Sequence, residues 1–317
     1  MEMTRRQQAT LVLMGIAGAL LFGPRAELGG TVSLPPLPTN SADLDDWVRA
    51  NQAKVSGIRP GDQSQLTWAG PAGTPTPLAL VYLHGYSASP VEIEPVMSQL
   101  AAQLGANLYR PRLSGHGLEP GGLEKATAAE WIAESHQAIT LGSMIGHRVV
   151  VVGASTGGTL AAISANQGAK ADALILVNPN FGPQAKSAEL LLLPWGSALL
   201  PRLVPSRSWE PSSPEQGAHW TTAYALESLV QMMLVVKESR NQDYRQLDLP
   251  VLVMRSDADD VVDQAAIEAF VSTLPNAERI VVDHTEGEDG HVLAGEITAP
   301  SRVQESVVAM QAFILGL

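Results

Sequence analysis

Short apolar runs recur along the chain from residue 78 onward, separated by longer stretches of mixed apolar and polar residues. Most of the runs are apolar on both faces and rich in β-branched residues, which is typical of strands buried in a parallel sheet. The predicted strands lie at residues 78–83, 107–110, 149–152, 173–177, 251–254 and 279–282. The stretches between them predict helices at residues 95–104, 126–145, 263–274 and 301–315. This alternation predicts an α/β fold, with a mostly parallel central sheet and helices on both faces.

The alternation stops between residues 178 and 249, an interval too long for a simple connection. It holds the run LLLPWGSALLPRLVP, a turn rich in proline and serine, and a predicted helix at residues 223–237. We therefore predict a cap at about residues 181–248, inserted after the strand at residues 173–177. Its Leu, Trp and Met side chains favour an apolar pocket lining, and ordinary core packing is the alternative interpretation.

The first 77 residues have a different character. Arg5 and Arg6 precede an apolar run that extends from residue 9 to Phe22, so residues 1–30 are predicted to be a signal peptide or signal anchor. The run is shorter than the ~20 residues of a spanning helix, and no small-x-small cleavage site follows it, so both interpretations stay open. Either one predicts an extracytoplasmic body, periplasmic or secreted, with membrane association through residues 9–23 if the segment is retained. Residues 31–77 predict a linker, an N-terminal helix and an edge strand.

The composition argues against some classes of partner and excludes some kinds of chemistry. The chain has 317 residues, a formal net charge of −12 and no cysteine. No basic patch is visible, which argues against a nucleic-acid partner. The absence of cysteine excludes disulfides, thiolate nucleophiles and zinc–cysteine sites.

One stretch carries a specific chemical pattern. The predicted strand at residues 149–152 ends at Gly153-Ala154-Ser155-Thr156-Gly157, a G-x-S-x-G match, and a predicted helix follows at once. A strand, a tight turn and a helix are the setting in which this pattern forms a nucleophile elbow, with the serine hydroxyl exposed above the sheet. Ser155 is therefore the predicted nucleophile, and an ordinary turn of small residues is the alternative.

Four features of residues 78–317, taken in order, resemble the α/β-hydrolase family, specifically its carboxylesterase and monoacylglycerol-lipase-like branch. The first is a strand that leads into His84-Gly85, and the second is the segment RLSGHG at residues 112–117. The third is the elbow around Ser155. The fourth is the strand PVLV at residues 250–253, followed by an acidic turn and a late histidine. The resemblance implies an α/β-hydrolase fold and a triad in the chain order Ser, acid, His.

Three acids compete for the middle position of that triad: Asp257, Asp259 and Asp260. Family members resemble P-x-L-x-x-x-G-x-x-D-x-x-V here, which places the acid on Asp259, although Ser256 stands where the glycine is usual. Asp257 is the next candidate. A calcium loop is excluded because Val262 stands where that loop needs glycine.

Two histidines compete for the base. His284 directly follows the last predicted strand, whereas His291 lies in the next loop, where the family's histidine is found. The resemblance therefore favours His291. It also implies an oxyanion hole formed by the backbone N–H groups of Tyr86 and Thr156.

Together these residues predict a serine hydrolase that cleaves carboxylic esters through an acyl-enzyme intermediate. The predicted substrate is a small-molecule ester or lipid, medium-chain or monoacylglycerol-like, and the chemistry needs no cofactor and no metal. A thioesterase or another hydrolase on the same triad is the first alternative, because this fold hosts several reactions. A non-catalytic, membrane-tethered binding module is the second.

Overall fold

The computed structural model describes residue 18 and residues 22–119, 121–282 and 288–317. Within these residues, seven strands form one sheet in the order β1-β3-β2-β4-β5-β8-β9. The strands are β1 Gln65–Thr67, β2 Thr76–Leu83, β3 Asn107–Arg110, β4 Gly146–Ala154, β5 Ala173–Val177, β8 Val251–Arg255 and β9 Ala277–Val281. Only β1, at the edge, pairs antiparallel, and the other neighbours are parallel. The predicted mostly parallel sheet is confirmed.

Helices cover both faces of this sheet. They are α1 Leu44–Gln52, α2 Val96–Leu104, α3 Ala128–Ile145, α4 Thr156–Asn166, α8 Gln264–Val271 and α9 Val303–Leu315. Alternate side chains of β4 enter different cores, with Val149 and Val151 in one and Val150 and Val152 in the other. Helices α3, α4 and α8 complete the first core, and α2 and α9 complete the second. The valine run therefore is apolar throughout because both faces of its strand are buried.

The segment between β5 and β8, residues 178–250, is called the inserted segment below. It contains a 3₁₀ helix (Lys186–Leu192), α5 Gly196–Leu203, β6 Ser206–Ser208, α6 Pro214–His219, β7 Ala223–Ala225 and α7 Leu226–Arg240. Strands β6 and β7 pair antiparallel, apart from the main sheet. Helix α7 buries Leu229 and Met233 in the same core as α3 and α4. This packing fixes the inserted segment on the face of the sheet where α4 lies.

The N-terminal stretch meets the body earlier than the sequence predicted. We expected residues 1–30 to lie outside the fold, but Ala26 is buried and the Pro24 carbonyl accepts a hydrogen bond of 2.7 Å from the Trp195 N–H. Lys237 donates to the Ala26 carbonyl at 3.2 Å. Residues 24–26 of the predicted leader thus contact the inserted segment. Most of the apolar run lies outside the described residues. None of the helices described is long and apolar enough to cross a membrane.

Candidate active site

The predicted nucleophile lies in a sharp turn between β4 and α4. Ser155 has φ 49° and ψ −119°, a strained conformation with positive φ that a serine rarely adopts. The turn is tight, since a Cβ atom on Gly157 would lie 2.0 Å from the Leu83 carbonyl oxygen. The Ser155 N–H donates to the Val177 carbonyl at 2.9 Å, which joins the turn to the end of β5. These features are those of a nucleophile elbow.

The predicted acid and base are in direct contact. His291 Nδ1 lies 2.8 Å from Asp259 Oδ2, and the Asp259 side chain is fully buried. The other oxygen, Oδ1, accepts the N–H groups of Val261 and Val262 at 2.8 and 3.0 Å. One oxygen is thus fixed by the backbone while the other faces the imidazole. A carboxylate at Nδ1 selects the tautomer with the proton on Nδ1, which leaves Nε2 as the basic nitrogen.

The competing acids lie elsewhere. Asp257 is exposed and forms an ion pair with Arg255, and Asp260 is exposed as well. The structure therefore brings Asp259, of the three, to His291. The competing histidine, His284, lies outside the described residues.

Opposing effects act on the imidazole of His291. Burial lowers its pKa, but the hydrogen bond and charge of Asp259, with the charges of Asp289 and Glu92, outweigh burial and raise the pKa. The Asp289 carboxylate also accepts the His291 N–H at 2.7 Å, which orders the loop. A histidine surrounded by carboxylates is suited to accept a proton and to carry the resulting positive charge.

Asn178, which the sequence analysis did not single out, joins the loops of the site. It follows β5 with φ 39°, and its Nδ2 donates to the carbonyls of His291 and Gly290 at 2.7 and 3.1 Å. Its Oδ1 accepts the Ser256 N–H at 3.1 Å. Its position directly after β5 is the sequence signal that could have identified it, because polar residues at the carboxyl ends of parallel strands face the functional edge of the sheet.

The predicted oxyanion groups lie on either side of the elbow. Thr156 is the first residue of α4, and the first N–H groups of a helix have no partner within it. On the other side, a Cβ atom on Gly85 would lie 3.2 Å from the Ser155 Cβ, so the loop that carries Tyr86 runs close to the nucleophile. The Tyr86 hydroxyl lies 2.7 Å from Ser228 Oγ on α7. This loop is therefore attached to the inserted segment.

The histidine that precedes this loop has a structural environment. His84 Nε2 accepts the Leu113 N–H at 3.1 Å, and its Nδ1 lies 3.0 Å from the Gly85 carbonyl. Burial lowers its pKa to about 4, so the ring is neutral at ordinary pH. His84 thus links the loop after β2 to the loop after β3.

A metal centre is not found among the residues that the structure describes, where no three His, Cys, Asp or Glu side chains come together as ligands. The prediction that the chemistry needs no cofactor stays a prediction.

Comparisons with known proteins agree with this architecture. A model of the alpha/beta hydrolase family matches residues 80–302. A thermostable monoacylglycerol lipase from Bacillus sp. (strain H-257) is 24% identical over 208 residues, covering 65% of this chain and 80% of that protein.

Solved structures share the fold at low identity. A structure reported for the metagenome-derived lipolytic enzymes LipS and LipT superposes with a TM-score of 0.68 at 17% identity, covering 82% of this chain and all of that one. The monoacylglycerol lipase of Paleococcus ferrophilus gives a TM-score of 0.59 at 14% identity, covering 79% of this chain and 98% of that one. Because the family model spans well over half of the sequence, this chain belongs to the alpha/beta hydrolase family.

Proposed function

We propose that the protein is a serine hydrolase that cleaves carboxylic esters through an acyl-enzyme intermediate. The observation that carries the proposal is the 2.8 Å contact between His291 Nδ1 and Asp259 Oδ2 in loops joined to the elbow of Ser155. The connection runs from the Ser155 N–H to Val177, and from the neighbouring Asn178 side chain to the His291 carbonyl. Ser, His and Asp at one sheet edge supply a nucleophile, a base and a group that orients the base.

Each residue has one role in the proposed reaction. His291 Nε2 takes the hydroxyl proton as Ser155 Oγ attacks the ester carbonyl, and Asp259 stabilises the imidazolium that forms. The N–H groups of Tyr86 and Thr156 stabilise the negative charge on the carbonyl oxygen. The imidazolium then protonates the departing alcohol, and water, activated by His291, hydrolyses the acyl enzyme and releases the acid.

The proposed substrate is a monoacylglycerol or another ester of medium chain length. Helix α7 supports an apolar acyl site because it lies beside the oxyanion loop through Ser228 and buries Met232 against Asn180, whose Nδ2 lies 3.1 Å from the sulfur. The name of the Bacillus relative, a monoacylglycerol lipase, favours the same substrate class. Thioesters are the alternative on the same triad.

A fluorophosphonate probe and a substrate panel test the proposal. The probe should label the wild-type protein, and Ser155→Ala should abolish labelling and lower hydrolysis of p-nitrophenyl esters by roughly 10⁴-fold or more. The folded state should persist, because the turn depends on its glycines. A matched variant, Ser164→Ala, removes a buried hydroxyl on the same helix that contacts Ser135 and should keep labelling and activity. Retention of a tenth of wild-type turnover by Ser155→Ala would exclude Ser155 as nucleophile.

The panel separates the substrate classes. Activity that rises from acetyl to octanoyl p-nitrophenyl esters and extends to monoacylglycerol supports the proposal. Faster turnover of acyl thioesters than of matched oxygen esters would favour the thioesterase. An unlabelled wild-type protein would favour the binding module.

A further inference from the structure

A buried carboxyl group lies beside the site without a role in the mechanism above. Glu92, in the connection between β2 and α2, is 2% exposed. A single oxygen, Oε2, accepts the Gly85 N–H at 2.7 Å and the Tyr82 hydroxyl at 2.6 Å. Gly85 immediately precedes Tyr86, so this carboxyl group holds the start of the predicted oxyanion loop.

Glu92 is also close to the nucleophile and to the loop of the base. A Cβ atom on Gly85 would lie 2.8 Å from Glu92 Oε1 and 3.2 Å from the Ser155 Cβ, so Gly85 separates the two side chains by one atom layer. On the other side, a Cβ atom on Gly295 would lie 2.7 Å from the Glu92 carbonyl oxygen. The Glu296 N–H donates to the Glu94 carbonyl at 2.8 Å. The loop that carries His291 therefore packs directly on the segment of Glu92.

We propose that Glu92 is a positioning residue for the proposed ester hydrolysis, orienting the Gly85–Tyr86 peptide for the oxyanion while its negative charge stabilises protonated His291. The inference rests on the proposed function for its catalytic meaning. The contacts on which it depends are independent of any substrate.

Few charged or titratable groups surround Glu92 and His291. Glu92 faces the Tyr82 hydroxyl from β2 and the side chains of His291 and Asp289 from the loop before α9, and Arg110 on β3 acts on Tyr82. Burial raises the pKa of Glu92 to about 7, against the hydrogen bonds of Tyr82 and Gly85 and the charge of His291, which lower it. Each of the two groups changes the pKa of the other, so the titrations of Glu92 and His291 are coupled. Ionised Glu92 raises the pKa of His291, and protonated His291 keeps Glu92 ionised.

The two parts of the role can be separated by substitution. Both hydrogen bonds end on one oxygen, so the amide oxygen of Glu92→Gln can accept both while the charge is lost. Glu92→Ala loses the charge and both acceptors. Glu134→Gln is a matched control, because burial likewise raises the Glu134 pKa to about 7 and its carboxyl accepts the Ser114 N–H at 2.8 Å. Glu134 is not among the charges that act on His291.

The pH dependence of kcat/KM tests the charge. The base must be neutral to act, so loss of a negative charge should lower the His291 pKa and move the acid limb down by about 0.5–1 pH unit in Glu92→Gln. Asp259 and Asp289 remain, so the limb should not move further. Glu134→Gln should leave it in place. An unmoved limb in Glu92→Gln, or an equal shift in both variants, would overturn the inference.

The ratio of kcat to KM effects tests the orientation. A misplaced oxyanion donor weakens the transition state more than the bound ester, so Glu92→Ala should lower kcat by about 10–100-fold with KM changed less than threefold. Wild-type kcat in a folded Glu92→Ala protein would overturn this part. If Glu92→Ala does not fold, Glu92→Gln still decides the inference through its pH profile.

A proton NMR titration separates this inference from the proposed function. The far-downfield resonance of the His291 Nδ1 proton, identified by its loss in His291→Asn, reports the imidazole charge without substrate. The pH midpoint of the titration of this resonance should be lower in Glu92→Gln than in wild type and unchanged in Glu134→Gln. If the wild type hydrolyses no ester but this midpoint falls, the proposed function fails and the coupling stands. If wild type is active, Ser155→Ala is inactive and the midpoint is unchanged in Glu92→Gln, the Glu92 inference alone fails.

Discussion

At the scale of single residues, the two oxygens of Asp259 have different partners. Oδ1 is held by two backbone N–H groups and Oδ2 faces His291 Nδ1. This division of contacts keeps the carboxylate fixed while one oxygen stays available to the imidazole. It also makes the consequence of an isosteric substitution predictable.

Asp259→Asn should keep the fold and lose most of the activity. The amide oxygen can take the place of Oδ1, which turns the NH₂ group toward His291 Nδ1. The imidazole then accepts at Nδ1 and carries its proton on Nε2, so it cannot take the proton of Ser155. We expect kcat on a p-nitrophenyl ester to fall by up to roughly 10⁴-fold. Asp257→Asn and Asp260→Asn, at exposed positions, are the controls and should stay within about threefold of wild type; a crippled Asp257→Asn protein would contradict the assignment.

At the scale of elements, the site is assembled where β4, β5 and β8 end side by side. Ala154 pairs with Val177, and Val177 pairs with Met254, so the residues that follow these strands emerge at one edge. Asn178 connects two of the emerging loops to a third, because its side chain reaches Ser256 as well as Gly290 and His291. Its hydrogen bonds therefore hold His291 in place relative to the turn that carries Asp259.

Asn178→Ala should loosen this arrangement. The substitution removes two donors and one acceptor and places alanine at φ 39°, a conformation that asparagine tolerates better. We expect kcat to fall by about 10–100-fold with little change in KM, because the base is misplaced, and the melting temperature to fall by roughly 3–6 °C. Asn166→Ala is the control, since that side chain donates to Gln242 at the far end of α4. Wild-type kcat in Asn178→Ala would show that the loops are held without it.

Features that depend on local sequence could be predicted, whereas features that depend on contacts between distant parts of the chain could not. The valine run of β4, the elbow at Ser155 and the acidic turn at Asp259 are local patterns, and the sequence predicted them. The roles of Asn178 and Glu92 could not be predicted, because they depend on which loops the sheet brings together. The side chain of Asn178 forms hydrogen bonds to Ser256 and His291, which lie 78 and 113 positions further along the chain. The packing of Ala26 was missed for the same reason, since the Lys237 side chain that donates to its carbonyl lies 211 positions away in the chain.

At the scale of the whole molecule, the raised pKa values of Glu92 and Glu134 predict how the free energy of unfolding changes with pH. Burial raises the pKa of each carboxyl to about 7 from the ordinary 4.5. A raised folded-state pKa means that the folded protein holds the proton more tightly than the unfolded chain. The stability from this effect is full below pH 4.5 and is lost as the pH rises through 7.

A melting series between pH 5 and pH 8 tests this sign. The quantity to compare between proteins is the melting temperature at pH 5 minus that at pH 8, to which the buried His84, with its lowered pKa, contributes in the opposite sense. Glu134→Gln stays neutral and should reduce that difference by roughly 3 °C, a value discounted because part of the Glu134 side chain contacts solvent. Glu130→Gln would disturb the N-terminal cap of α3, so Glu227→Gln, at an exposed position in the first turn of α7, is the better control. An unchanged difference in Glu134→Gln would contradict the prediction.

The last prediction concerns the N-terminal stretch, because its hydrogen bonds to the body begin at Pro24 rather than after residue 30. Every predicted catalytic residue lies beyond residue 78, so removal of residues 1–21 should leave kcat/KM on a short, water-soluble ester near wild type. The same deletion should release the protein from the membrane fraction if the segment is an anchor, or prevent export if it is a signal peptide. An insoluble or inactive protein would overturn the independence of the body from this segment.

A longer deletion, of residues 1–30, should behave differently. It removes the hydrogen bond from Trp195 to the Pro24 carbonyl, the bond from Lys237 to Ala26 and the buried Ala26 side chain. One or two hydrogen bonds and one small buried side chain contribute about 1–3 kcal/mol to the free energy of unfolding. The longer deletion should therefore melt about 2–6 °C below the shorter one, while kcat/KM stays equal because neither deletion reaches the loops of the site. Equal melting temperatures would show that these contacts do not stabilise the body, and its N-terminal boundary would then move to residue 31 as the sequence first predicted.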